Sequence, residues 1–108
     1  MKTKAIVMLG CAWVLWEEFY FSASSPPTRW TLHSASPVHN ECEDAAQRLR
    51  QRTLSFLQAV PDAFRDLRSE SGYIFGLFYR EGREFVGVQT YTYRCLPDTI
   101  DPRPRGKE

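Results

Sequence analysis

Trp13-Val-Leu-Trp-Glu-Glu-Phe-Tyr-Phe21 is rich in aromatic and branched residues, with apolar groups on both of its sides. Trp13, Leu15, Phe19 and Phe21 fall on one side, and Val14, Trp16 and Tyr20 on the other. A two-residue period rich in aromatic and branched side chains predicts a strand, interrupted only by Glu17-Glu18. Ser22 to Pro27 is dense in Ser and Pro and predicts a loop. Thr28 to His33 predicts a second strand, with Trp30 and Leu32 on one side, so the two form a hairpin.

The period then changes. Cys42, Ala45, Ala46, Leu49, Thr53, Phe56, Leu57 and Val60 follow a three-four spacing, the clearest helical signal in the chain. Two starts fit it: Ser36 before Pro37, as a cap followed by Pro at the first helical position, or Asn40 with Glu43 as a capping box. Glu41, Glu43 and Asp44 oppose the positive end of the helix dipole. Pro61 breaks the helix. A short helical turn from Asp62 to Leu67, with Phe64 and Leu67 packing inward, and a polar loop from Arg68 to Gly72 follow.

Tyr73 to Arg80 and Glu84 to Cys95 read as two further β-rich strands, joined by a turn at Glu81-Gly-Arg83. In the second of these strands Phe85, Gly87, Gln89, Tyr91, Tyr93 and Cys95 share a side. The expected fold is therefore α+β, a small antiparallel sheet of about four strands in the order β-β-α-β-β with one main helix packed on one face. Residues 13–97 form this single domain. Residues 98–108 form a Pro-rich polar tail, read as an ordered exit and a flexible end.

Upstream, residues 1–12 carry the layout of an export signal. Lys2 and Lys4 give a basic start, Ala5-Ile-Val-Met-Leu9 an apolar run, and Gly10-Cys-Ala12 an A-x-A-like cleavage site. The apolar run is at or below the roughly 7–15 residues of a usual signal; a start site lying upstream would account for that. Two alternatives use the same residues: Met8-Leu-Gly-Cys11 as a lipobox with a lipid anchor on Cys11, or an uncleaved first strand in a cytoplasmic protein with reduced cysteines. The run from Ala5 ends at Glu17, too short for the roughly 20 apolar residues of a membrane span.

Composition narrows the function classes. At 108 residues with 43% hydrophobic and 25% charged side chains, the chain is an ordinary globular domain. Its net charge is +1, and loss of Lys2 and Lys4 takes 14 basic residues to 12 against 13 acidic, or −1. That balance argues against broad electrostatic attraction to nucleic acid, which needs a basic stripe. Arg48, Arg50 and Arg52, two apart on a helix, form no stripe either.

The candidate chemistry is sparse. His39-x-x-Cys42 among Glu41, Glu43 and Asp44 has no second Cys/His pair to complete the roughly four ligands of a zinc site. Cys42 or Cys95 with His33 or His39 would be a nucleophile pair, supported only by the helix N-terminus beside Cys42. Trp13, Trp16, Trp30 and the tyrosines would line a groove, against the default of core packing for aromatic residues in strands. No catalytic, cofactor-binding or metal residue is assigned. If the Cys95 side of its strand meets the helix, the thiols of Cys42 and Cys95 approach, and closing the loop contributes about 4 kcal/mol; the alternative is two buried reduced thiols.

Trp13-Val-Leu-Trp-Glu17, the helix-opening Cys42 and the ending Cys95-Leu-Pro-Asp-Thr-Ile-Asp-Pro-Arg103 resemble a group of small exported bacterial proteins. Those chains begin their mature part near a Trp-x-x-Trp-Glu strand and end in a Cys-Leu-Pro-Asp-Thr-x-Asp-Pro-Arg tail. The resemblance covers both ends and the cysteines, while Gln58 to Gly72 carries no motif. It implies export and a Cys42–Cys95 structural disulfide, and brings no activity with it. The expected function is a structural or partner-binding role in the periplasm, the envelope or outside the cell, with a protein or envelope partner. The alternatives are the cytoplasmic protein and a thiol-dependent enzyme using Cys42.

Overall fold

The computed structural model describes residues 12–60, 62–70 and 72–104. Residues 1–11 of the expected signal, with the Cys11 lipidation site, and Pro61 fall outside those residues. The elements are β1 (Trp13–Phe21), β2 (Thr28–Ser36), α1 (His39–Gln58), β3 (Phe64–Glu70), β4 (Tyr73–Arg80) and β5 (Glu84–Pro97). All five strands form one antiparallel sheet in the order β2-β1-β5-β4-β3. The fold is α+β with one helix on one face, and it carries a fifth strand beyond the expected four. β1 and β5 pair in register from Trp13↔Pro97 to Phe21↔Gln89, so the two ends of the domain meet at its centre.

The extra strand, β3, replaces the expected helical turn and polar loop. Phe64 and Leu67 lie three residues apart, a helical spacing, but both reach the helix side of the sheet because the strand is bulged. The register jumps between Arg65 and Arg68, and Asp66 takes a left-handed φ of 54°. A bulge adds a residue and resets the alternation. Both side chains then lie over Gly76: a Cβ built there would sit 3.0 Å from Leu67 Cδ1 and 3.1 Å from Phe64 Cδ1.

The core lies between the helix and the odd-numbered side of β1. Leu15, Cys42, Leu57, Ile74 and Tyr93 are buried there, with Trp13, Ala45, Ala46, Leu49, Leu54 and Cys95 packed against them. The helix starts at His39, with Val38 at its cap position and no side-chain capping bond, so neither expected cap is used. Ser36 is held in the ladder opposite Trp13, and Asn40 already lies inside the first turn. The helix touches all five strands of a twisted sheet, so its line of contact drifts around it. Leu54 therefore packs inward, while Phe56, expected in the apolar stripe, is 68% exposed. A second correction falls on Phe85. A register shift between Phe78 and Tyr79 pairs Phe85 with Tyr79, on the side of the sheet away from the helix.

Candidate functional site

The sheet has two unlike sides, and each holds one arrangement of interest. On the helix side, Cys42 of the first helical turns and Cys95 of β5 are joined in a disulfide with a Cα–Cα distance of 6.1 Å. Cys42 is 1% exposed and lies beside Leu15 in the core. Its sulfur is thus bonded and shielded, and no free thiol stands at the helix N-terminus. The two histidines lie apart. His39 packs edge-on against Trp13 at 4.3 Å, with Nε2 3.5 Å from the exposed Glu43 carboxylate.

His33 enters a polar cluster that its sequence position does not reveal. The β1–β2 register shifts between Leu15 and Trp16, which leaves His33 as the extra residue of a bulge on the helix side. Its Nε2 is 2.7 Å from Glu17 Oε1. The Tyr93 hydroxyl donates to Thr53 Oγ1 of α1 at 2.9 Å and lies 3.4 Å from Glu17 Oε2. Burial, with the nearby Glu17 charge, pushes the Tyr93 and Tyr91 phenols above their ordinary value. Both shifts favour the protonated phenol, and Tyr93 donates its proton in a hydrogen bond, the reverse of the depressed pKa that a phenolate base needs. The cluster ties β1, β2, β5 and α1 together. Across the helix, a cleft of about 250 Å³ lies beside the disulfide, lined by Glu43, Ala46, Gln47, Arg50, Gly72 and Tyr93. Arg50 is already engaged there, donating to Ser69 Oγ at 2.6 Å. Among the described residues, no group of three or more His, Cys, Asp or Glu side chains converges to hold a metal ion.

The side away from the helix presents Tyr20, Tyr73, Phe75, Tyr79, Thr90 and Thr92 in neighbouring rows. Arginines lie over two of the rings: the guanidinium of Arg65 is 3.9 Å from the Tyr79 centroid and that of Arg68 5.1 Å from that of Phe75. Arg94 pairs with Glu18 at 3.1 Å. One end of this side is covered by the tail. Ile100 N donates to the Pro97 carbonyl and Asp98 N to that of Ala12, which turns the chain back over β1. Asp101 then holds Arg103 through both its Nε and Nη2, and the guanidinium sits 5.2 Å above the Trp16 ring. Under this strap Trp16 is only 4% exposed, with Trp30 edge-on against it at 6.4 Å.

No protein-family model, no curated protein and no solved structure matches this chain.

The site must therefore be argued from its own groups. The cysteines singled out in the sequence come together; the histidines do not join them. Sequence reasoning missed the Glu17–His33 pair and the Arg103–Trp16 contact. The first depends on a bulge, which has no local signature. The second had a signal, an arginine-bearing tail after the last strand, but nothing in a linear sequence says where a tail returns.

Proposed function

We propose that this chain is an exported, non-catalytic binding domain of the bacterial periplasm or envelope, and that it engages a protein partner through the side of its sheet away from the helix. The observation that carries this reading is the asymmetry of the sheet. One side is closed by α1 and stapled by Cys42–Cys95, while the other leaves Tyr20, Tyr73, Arg65 and Arg68 exposed beside half-buried Phe75 and Tyr79. Monomeric domains rarely leave large apolar areas uncovered without an interaction to serve. Arginine lying on an aromatic ring offers a planar, weakly hydrated cation beside an apolar surface, which suits a partner segment bearing both carboxylates and apolar groups. A disulfide in a small domain fits an oxidising compartment. Among the described residues no helix is long and apolar enough to cross a membrane.

Two measurements test the reading. The intact mass of the protein from its host, alkylated without reduction, tests export. The expected result is a chain that has lost its leader and is two hydrogens light and unalkylated. A full-length mass bearing three alkyl groups overturns it. A photoreactive residue at Tyr73 tests the surface. The expected result is one crosslinked protein, lost on Arg68→Glu, whose binding to the purified domain weakens with the same variant. Equal crosslinking from a residue at Arg48 on the helix overturns the assignment of this surface.

A further inference from the structure

The sheet has two outer edges, and they are built differently. The β3 edge is guarded: Arg65, Asp66, Arg68 and Glu70 put four charges in seven residues, and the bulge at Asp66 breaks its line. Charges and bulges at an edge are the usual defences against pairing with another chain. The β2 edge lacks them between Thr28 and Leu32, where Arg29 is the one charged residue and the ladder with β1 is regular. The Arg29 guanidinium is drawn back toward Phe19, 5.9 Å from its ring, on the helix side. On the other side Leu32, an apolar residue at a sheet edge, is 55% exposed.

The register says which backbone groups this edge offers. Phe21 N donates to the Pro27 carbonyl at 2.8 Å, one position past the Tyr20↔Thr28 pair. Hydrogen-bonded and non-bonded pairs alternate along an antiparallel ladder. Arg29 and Thr31 therefore bond inward to β1, and Thr28, Trp30 and Leu32 turn their N–H and C=O groups outward.

From this we infer that β2 pairs antiparallel with β2 of a second copy, about a two-fold axis at Trp30. In that register Trp30 bonds to Trp30 of the other copy, and Thr28 bonds to Leu32 in both directions. Every outward group from Thr28 to Leu32 finds a partner, because the segment is its own complement. Arg29 falls opposite Thr31, so no like charges face each other across the pair. Leu32 packs over Thr28 of the other copy, and two five-stranded sheets become one of ten strands. A five-residue edge contact is smaller than a standard stable interface, so the dimer is weak and reversible. The inference does not depend on export or on the partner proposed above.

Sedimentation velocity of the disulfide-bonded protein, from micromolar to millimolar concentration, is the test. The expected result is a reversible monomer–dimer equilibrium and no larger species. Leu32→Lys is expected to weaken it by about tenfold or more, since each copy would press an ammonium group into the contact. Leu32 is exposed in the monomer, so this variant keeps its fold, which circular dichroism checks. In a chain carrying Cys11→Ser, Trp30→Cys is expected to crosslink two copies under mild oxidation, because bonded antiparallel pairs place Cα atoms about 5.5 Å apart. Ala35→Cys is not. A monomer at millimolar concentration, a dimer indifferent to Leu32→Lys, or equal crosslinking at both positions overturns the proposal.

Discussion

Removing the staple through Cys42→Ala/Cys95→Ala is the sharpest test of how this domain is held together. The two cysteines are 53 residues apart in sequence. A cross-link over a loop of that length lowers the entropy of the unfolded chain enough to stabilise the fold by about 4 kcal/mol at 25 °C. A domain of this size has about 5–15 kcal/mol in total, so the variant keeps a minor part of its stability at the low end of that range. The melting temperature is expected to fall by roughly 15–30 °C, taking about 4–8 °C per kcal/mol. Alanine is the right replacement, because Cys42 is buried and a serine there would strand a hydroxyl in the core. Urea unfolding followed by tryptophan emission measures both the midpoint and its slope. The slope should rise, because an unlinked chain exposes more surface when it unfolds. Reduction of the unaltered protein should reproduce both changes. A loss under about 1 kcal/mol with an unchanged slope would refute the reasoning, since the cross-link would then not be acting on the unfolded state.

Three further outcomes follow from particular contacts. Gly76→Val is expected to cost about 1–3 kcal/mol, because its Cβ alone would sit 3.0 Å from Leu67 and 3.1 Å from Phe64 in a packed layer; a neutral melting temperature would contradict the β3 bulge. Tyr93 and Tyr91 have pKa values raised above the 10.0 of a free phenol by burial and by Glu17. Their stability contribution is therefore complete below pH 10 and lost as pH rises through the folded-state values. Stability measured against pH should fall in the alkaline range, and Tyr93→Phe should flatten part of that fall. Arg103→Ala is expected to cost about 0.5–2 kcal/mol and to shift tryptophan emission to the red as Trp16 is uncovered. In a double-mutant cycle with Trp16→Leu the two losses should be non-additive, and strict additivity would separate the strap from the ring.

The elements that were legible in the sequence are those whose signal is local. The aromatic and branched runs of β1, β4 and β5 and the spacing of Cys42, Ala45, Ala46 and Leu49 each lie within one element, so α+β architecture follows from them. Phe64 and Leu67 pack inward as expected but from a strand and not a helical turn, Phe85 lies on the opposite side to the expected one, and the Glu17–His33 pair has no sequence signal; bulges account for all of these. Each lies at a bulge, where one extra residue reverses the alternation downstream, and the position of a bulge is set by the partner strand rather than by the bulged segment. The candidate site suffers from the same limit. The rows of Tyr20, Thr90 and Phe75 combine β1, β5 and β4, so the surface exists only after register is fixed.

The ends of the chain behave differently, and the topology explains why. β1 and β5 are central neighbours, and the tail leaving β5 turns back over β1, so Trp16 near one terminus carries Arg103 near the other. Residues separated by most of the sequence are thus in contact: the Arg103 guanidinium lies over the Trp16 ring, Asp101 bonds that guanidinium through both oxygens, and the turn from Pro97 to Ile100 brings the tail back. The stretch from Gln58 to Gly72 has no such obligation. It leads into β3, the outermost strand on that side, where a charged and bulged edge can be made by many sequences. The Trp16–Arg103 contact thus joins segments separated by most of the sequence, while the stretch after the helix serves to turn it into an edge strand.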